Sequence, residues 1–208
     1  SGTYTITYVV LDNSGNQASA TREVIVDEWV YVIQGMAMDG YLVGASVIFD
    51  IPPYDGVHDI SANVETDDRG AFLIAFTPAD FAKVDANGNG VIDPSEGKIV
   101  VTGGTDSSTQ TPFTGTYEAD ANSTVVNPLT TLATALVDAG KSREDAAATV
   151  VSWLGIVEGV DLANYDPIAG AAGGGSGAGS VFAASTRVAT AMKQASAFIK
   201  FASDGAAD

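Results

Sequence analysis

Three changes that coincide near residue 127 predict an α+β chain, a β-sandwich followed by a small helical subdomain of about three helices. Up to residue 126, short runs rich in Thr, Val, Ile, Tyr and Phe alternate in polarity and are separated by Gly, Asn and Asp. That is the pattern of half-buried strands joined by turns. From residue 127 onward the chain is alanine-rich and its apolar residues recur at helical spacing. Charge divides at the same place. Residues 1–126 hold eighteen acidic and four basic residues, net −14, and residues 127–208 hold eight and five, net −3.

In order along the chain, Thr3–Leu11 alternates Tyr4, Ile6, Tyr8 and Val10 against the threonines and Val9, as a strand does. Asp12-Asn13-Ser14-Gly15-Asn16 is a turn, and Ala20–Val26 returns as the second arm of a hairpin. This hairpin unit is assigned to residues 1–29. A second β-module spans 30–126, with strands expected at Val32–Met38, Tyr41–Phe49, Phe72–Phe76, Ile99–Val101 and Thr114–Tyr117. Within it, Thr77 as a cap, Pro78 at the first helical position and Asp80 three residues after the cap predict one short helix, Pro78–Val84.

The helical part spans 127–208. Asn127 caps and Pro128 opens its first helix, with Leu129, Leu132, Ala133, Leu136 and Val137 on one face and Gly140 at the end. Ser142 to Asp145 predict a capping box for the second helix, whose Ala146, Val150, Val151 and Leu154 share a side before Gly155. Residues 170–180, GAAGGGSGAGS, read as a flexible loop. Beyond it Val181, Val188, Met192, Ala195, Phe198, Ile199 and Ala202 trace the stripe of a third helix, read as core.

Composition excludes several functions. The chain has no cysteine, so disulfides, thiolate metal sites and cysteine nucleophiles are out. His58 is the single histidine, read as a surface residue with no second imidazole to share a metal. A net charge of −17 and a pI near 4.1 argue against nucleic acid or an anionic membrane surface as a partner. No stretch of about 18 apolar residues is present, so no membrane insertion is expected. The start, SGTYTITYVV, lacks an initiator Met and lies within a strand pattern, which reads as a piece of a longer protein.

One segment carries specific chemistry, Asp85-Ala-Asn-Gly-Asn-Gly-Val-Ile-Asp-Pro-Ser-Glu96. It has the twelve-residue spacing of an EF-hand calcium loop. Asp85, Asn87 and Asn89 place side-chain oxygens at positions 1, 3 and 5, Gly90 allows the turn, and Val91 offers its carbonyl. Asp93 reaches the ion through water, and Glu96 closes the loop with both carboxylate oxygens. Ca2+ needs six to eight hard oxygens, which this spacing wraps around one point. A helix enters but a strand leaves, so the helix pair of a calcium sensor is missing. Asparagine at positions 3 and 5 leaves three formal charges, which places affinity near ~10⁻⁴–10⁻³ M, the range of extracellular modules. A second acidic cluster, Asp50, Asp55, Asp59, Glu65, Asp67 and Asp68 with His58, lacks comparable spacing and reads as a solvated loop in preference to a second calcium site.

Other motifs fail. Gly140-Lys141-Ser142 resembles the end of a phosphate-binding loop, but Ala135 stands where its first glycine belongs. The glycine run at 173–179 follows no strand, and no Gly-x-Ser-x-Gly elbow occurs. No catalytic constellation stands out.

Two resemblances add to this reading. GTYTITYVVLDNSGNQASATREVIV resembles the last two strands of a bacterial immunoglobulin-like (Ig-like) repeat. From Gly35 to about Ala169 the chain resembles a calcium-binding module of large bacterial surface proteins and RTX-type adhesins. The resemblance is carried by GMAMDGYLVGASVIFD, ETDDRGAFLI, DANGNGVIDPSEG, VVTGGTDSSTQTPFTGTYEA and VNPLTTLATAL through DLANYDPIA. That family often has a second Asp/Asn-rich loop after its opening strand pair, where this chain reads FDIPPYDGVHD. The resemblance implies an Ig-like or carboxypeptidase-regulatory-like sandwich followed by helices, extracellular and non-enzymatic, with neighbouring repeats of the same protein as partners. Two alternatives are carried along. A surface glycan or peptide could be bound through Tyr31, Tyr41 and Tyr54, or the chain could cleave itself at Asp93-Pro94 or Asp166-Pro167.

Overall fold

Alternating sequence produces strands here and helical spacing produces helices, but the strands divide among more sheets than the sequence suggests. The computed structural model describes residues 2–26, 31–174 and 177–204. Strands β1 (Gly2–Leu11) and β2 (Gln17–Val26) form an antiparallel hairpin closed by the Asp12 carboxylate, which accepts the N–H groups of Ser14 and Asn16. Its register puts Tyr4, Ile6, Tyr8 and Val10 on one face with Val24, Ala20 and Ala18, and most of the hairpin is exposed. The 29/30 boundary expected after it lies outside the described residues.

The next strands are β3 (Tyr31–Ala37), β4 (Leu42–Val43), β5 (Ser46–Asp50), β6 (Val64–Glu65) and β7 (Ala71–Phe76). After helix α1 (Pro78–Val84) come β8 (Lys98–Thr102), β9 (Thr105–Asp106), β10 (Thr111–Pro112), β11 (Thr116–Asp120) and β12 (Val125–Val126). They build sheets in the order β12-β3-β7, β11-β8-β5-β6 and β10-β9-β4. The strand expected at Tyr41–Phe49 is therefore two, in different sheets. Gly44, at φ 63°, turns the chain between them, a conformation glycine adopts without a Cβ clash. The strand expected at Thr114–Tyr117 sits two residues later, where it pairs with β8 from Thr116↔Thr102 to Asp120↔Lys98. The two-residue strands β6, β9, β10 and β12 are too short to show alternation and were invisible in the sequence.

The larger sheets feed one hydrophobic core. Ile33 of β3 and Ile74 and Phe76 of β7 meet Val47 and Phe49 of β5 and Ile99 and Val101 of β8. Phe49 and Phe76 meet edge to face at 5.0 Å. A second cluster gathers Leu129, Val150, Leu162, Val181 and Val188, and Met192 touches both clusters.

The chain after residue 127 holds four helices among the described residues instead of three: α2 (Pro128–Asp138), α3 (Arg143–Leu154), α4 (Pro167–Ala172) and α5 (Ala178–Asp204). Asn127 caps α2 through Oδ1, which accepts from Leu129 and Thr130. The capping box expected on α3 is half formed. Ser142 accepts from the Asp145 N–H, but the Asp145 carboxylate takes the Ser142 hydroxyl instead of the cap backbone. Helix α4 corrects the flexible loop expected over 170–180. Asp166 caps it by accepting from Ile168 and Ala169, and Pro167 fits its first position, which outweighs the low helix propensity of Gly170. Residues 178–180 already belong to α5, and 175–176 lie outside the described residues.

The stripe on α5 is core only for its first half. Val181, Val188 and Met192 are buried or half-buried, whereas Ala195, Phe198, Ile199 and Ala202 are exposed. A 27-residue helix is about 40 Å long and outruns the body beneath it. Phe49→Ala, at 0% exposure, is expected to cost about 3–5 kcal/mol in urea unfolding. Phe198→Ala, at 73%, is expected to stay within about 0.5 kcal/mol of wild type.

Candidate metal centre

The twelve-residue loop 85–96 joins α1 to β8. Helix α1 is fixed at its start by a full capping box, in which Thr77 accepts from the Asp80 N–H and the Asp80 carboxylate accepts from Thr77. Asp85 is its C-cap, donating its N–H to the Phe81 carbonyl at 2.8 Å. Ile92 is buried and ties the middle of the loop to the β core, and Gly90, at φ 86°, makes the sharp turn.

Five of the six residues expected to hold an ion are joined to one another through their side chains. The Asp85 carboxylate accepts the N–H groups of Asn89 (3.1 Å) and Gly90 (2.9 Å). The Asn87 and Asn89 amides both donate to Asp93 Oδ2, at 2.7 and 2.8 Å. Glu96 is buried, and its two oxygens accept from the Asn87 N–H (3.1 Å) and the Asp93 N–H (2.9 Å), so it spans the loop from position 3 to position 9. Val91 sits exposed at the turn, its N–H donated to Asn89 Oδ1.

This donor set fits a hard divalent cation. Every side-chain donor is a carboxylate or an amide, which carries an oxygen beside its nitrogen, and Glu96 already reaches across the loop with both oxygens. Among the described residues, no three His, Cys, Asp or Glu side chains come together as a metal cluster. Like charges at one point repel, and the Asn87 and Asn89 amides donate to Asp93 here.

The clamps around the loop lay beyond sequence reasoning. Arg143, the first residue of α3, donates to the Pro94 carbonyl (3.2 Å) and to Asp120 (3.1 Å). Lys98 directs its ammonium to both Asp138 oxygens, at 2.7 and 2.9 Å, with Glu118 at 3.6 Å. Burial works against that ammonium, but Asp138, Glu118 and Tyr54 hold its pKa above the ordinary lysine value. Tyr54 lies under Lys98 at 4.6 Å and donates its hydroxyl to the Ser95 carbonyl. These partners lie tens of residues apart in the chain, and no local spacing announces them.

The second acidic cluster does not assemble as one. His58 is half-buried instead of surface. Its Nδ1 accepts the Phe49 N–H and its Nε2 faces the Ala62 carbonyl, so it staples the 50–62 segment to β5. Asp59 binds the Ile51 N–H and Lys83. Burial opposes its charge, but these partners hold its pKa below the usual carboxylate range. Tyr31 packs on Phe76 and Phe81. The Tyr41 hydroxyl donates to Asp166, and burial followed by that carboxylate pushes its pKa up to about 12. All three tyrosines weighed as sugar platforms are thus engaged within the chain.

A model of the family described as "Bacterial surface protein, Ig-like domain" matches residues 1–26. The match supports an Ig-like surface repeat over those residues, the hairpin β1–β2, and with it a structural module of a bacterial cell-surface protein. No curated protein and no solved structure matches the chain. Among the described residues, no helix is long and apolar enough to cross a membrane.

Asp50 gives this region a pH signature. It is 3% exposed, its Oδ2 accepts the Gly56 N–H, and its Oδ1 has no partner among the described residues. Burial, then Asp55 and Asp59, raises its pKa against the opposing pull of Lys98. A carboxyl whose folded pKa lies above its unfolded value stabilises the fold at low pH and loses that contribution as pH rises through the folded value. Asp50→Asn is therefore expected to be more stable than wild type at pH 7, the difference closing as the pH falls toward the ordinary carboxylate range. Urea unfolding at pH 7 and at lower pH measures it, and a variant less stable at pH 7 would contradict the assignment.

Proposed function

We propose that the chain is a non-enzymatic, calcium-stabilised structural and adhesive module of a secreted or surface-attached bacterial protein. Asp85, Asn87, Asn89, Asp93, Glu96 and the Val91 carbonyl would hold the ion. The observation that carries this reading is loop 85–96 itself, with the oxygen-bearing residues of a calcium loop at every required position and Glu96 buried across it. The family match of residues 1–26 supports the surface setting, where calcium is millimolar. The exposed apolar face of the hairpin supports neighbouring repeats as partners, since a two-stranded sheet is marginal alone.

An ion that binds the folded loop and not the unfolded chain stabilises by RT ln(1 + [L]/Kd). With Kd near ~10⁻⁴–10⁻³ M, about 5 mM calcium contributes about 1–2 kcal/mol. The melting temperature should rise by about 2–8 °C, return to its starting value on adding EDTA, and rise less in Glu96→Gln. A wild-type melting temperature indifferent to both calcium and EDTA would contradict the proposal.

A further inference from the structure

We infer that loop 85–96 couples its ion to the docking of the α2–α3 helix pair, so that calcium sets how firmly the turn between those helices is held. This rests on the calcium reading above and concerns what the ion controls. The two ends of α2 are held differently. At its N-terminus, Leu129 is fully buried, Asn127 caps the helix, and Thr131 Oγ1 accepts the Glu118 N–H at 2.9 Å. None of these contacts involves the loop.

At the turn between α2 and α3 two anchors converge on the loop and its exit, beside a bond from Arg143 to Asp120 of β11 at 3.1 Å. Asp138 ends α2 and Arg143 begins α3, so they flank the connection 139–142. Asp138 is gripped by Lys98, two residues past Glu96, and Arg143 by the carbonyl of Pro94, between Asp93 and Glu96. Tyr54 braces the same stretch through the Ser95 carbonyl and the Lys98 ammonium. The residues bracketing the clamps, Asp93 and Glu96, are those assigned to the ion. An ion that fixes these two carboxylates fixes the backbone from Asp93 to Lys98, and with it both handles on the helix turn.

Hydrogen exchange read by mass spectrometry on the 208-residue chain, with and without 5 mM calcium, tests this. The expected result is slower exchange at 85–97 and, by about threefold or more, at 136–147, with residues 128–133 unchanged. In Lys98→Met/Arg143→Met the loop should still gain protection while 136–147 no longer does. Arg143→Met alone, which keeps the partly buried Lys98, should show a reduced gain at 136–147. Protection of the loop without any change at 136–147 in wild type overturns the coupling and leaves the calcium reading standing. A gain at 136–147 undiminished in Arg143→Met or in the double variant overturns the assignment of these clamps. Exchange at 85–97 indifferent to calcium overturns the calcium reading and the coupling together.

Discussion

Three carboxylates placed within twelve residues repel one another, and the loop that carries them must still fold back on itself. Here the closure is made by hydrogen bonds to the carboxylates. Glu96 accepts two backbone N–H groups from across the loop, and Asp93 accepts two asparagine amides. Each bond to a charged acceptor is stronger than a neutral one, and the turn that aligns them has Gly88 and Gly90 at positive φ and asparagine side chains accepting local N–H groups. The position of Glu96 fixes where β8 starts, and β8 is the centre of the four-stranded sheet, between β11 and β5.

The same few residues then tie layers together. Lys98 begins β8 beside Asp50 of β5 and reaches out to α2, while its strand neighbours Ile99 and Val101 point into the core. Arg143 joins α3 to β11 and to the loop. The loop is thus one place where the β core and the helix pair share contacts, beside the direct packing of α2 on β11 through Thr131 and Glu118. The acidic excess of the first 126 residues is spread well beyond it. Asp12, Asp67 and Asp106 each accept backbone N–H groups in local turns. The Asn16 side-chain amide, followed by backbone N–H groups, holds Asp12 below the usual carboxylate range, and the Arg69 and Ala71 N–H groups do the same for Asp67. Much of the negative charge therefore serves turn geometry.

What could be read from the sequence was local. Thr77, Pro78 and Asp80 placed α1 to the residue, Asn127-Pro128 placed the start of α2, and the calcium spacing named six residues, five of which bond to one another through their side chains. Elements of two residues, such as β9 and β12, carry no periodicity and could not be seen. Helix α4 was legible in principle, since Asp166-Pro167 is a cap followed by a favoured first residue, but the glycines beyond it suggested a loop. The division of α5 into a covered and a bare half depends on where the body ends, and the stripe of apolar residues is the same on both sides of that point. Nothing in the sequence connects Lys98, Asp138 or Arg143 with the loop, and Tyr54 is weighed there only as a sugar platform. Only the fold brings them to the loop.

The central claim is that loop 85–96 binds one calcium ion, and calorimetric titration of calcium into the 208-residue chain, with Asp85→Ala alongside, tests it most directly. The account predicts one site with Kd near ~10⁻⁴–10⁻³ M in wild type and loss of that site in the variant. No binding heat in wild type at millimolar calcium, or the same isotherm in Asp85→Ala, would contradict it.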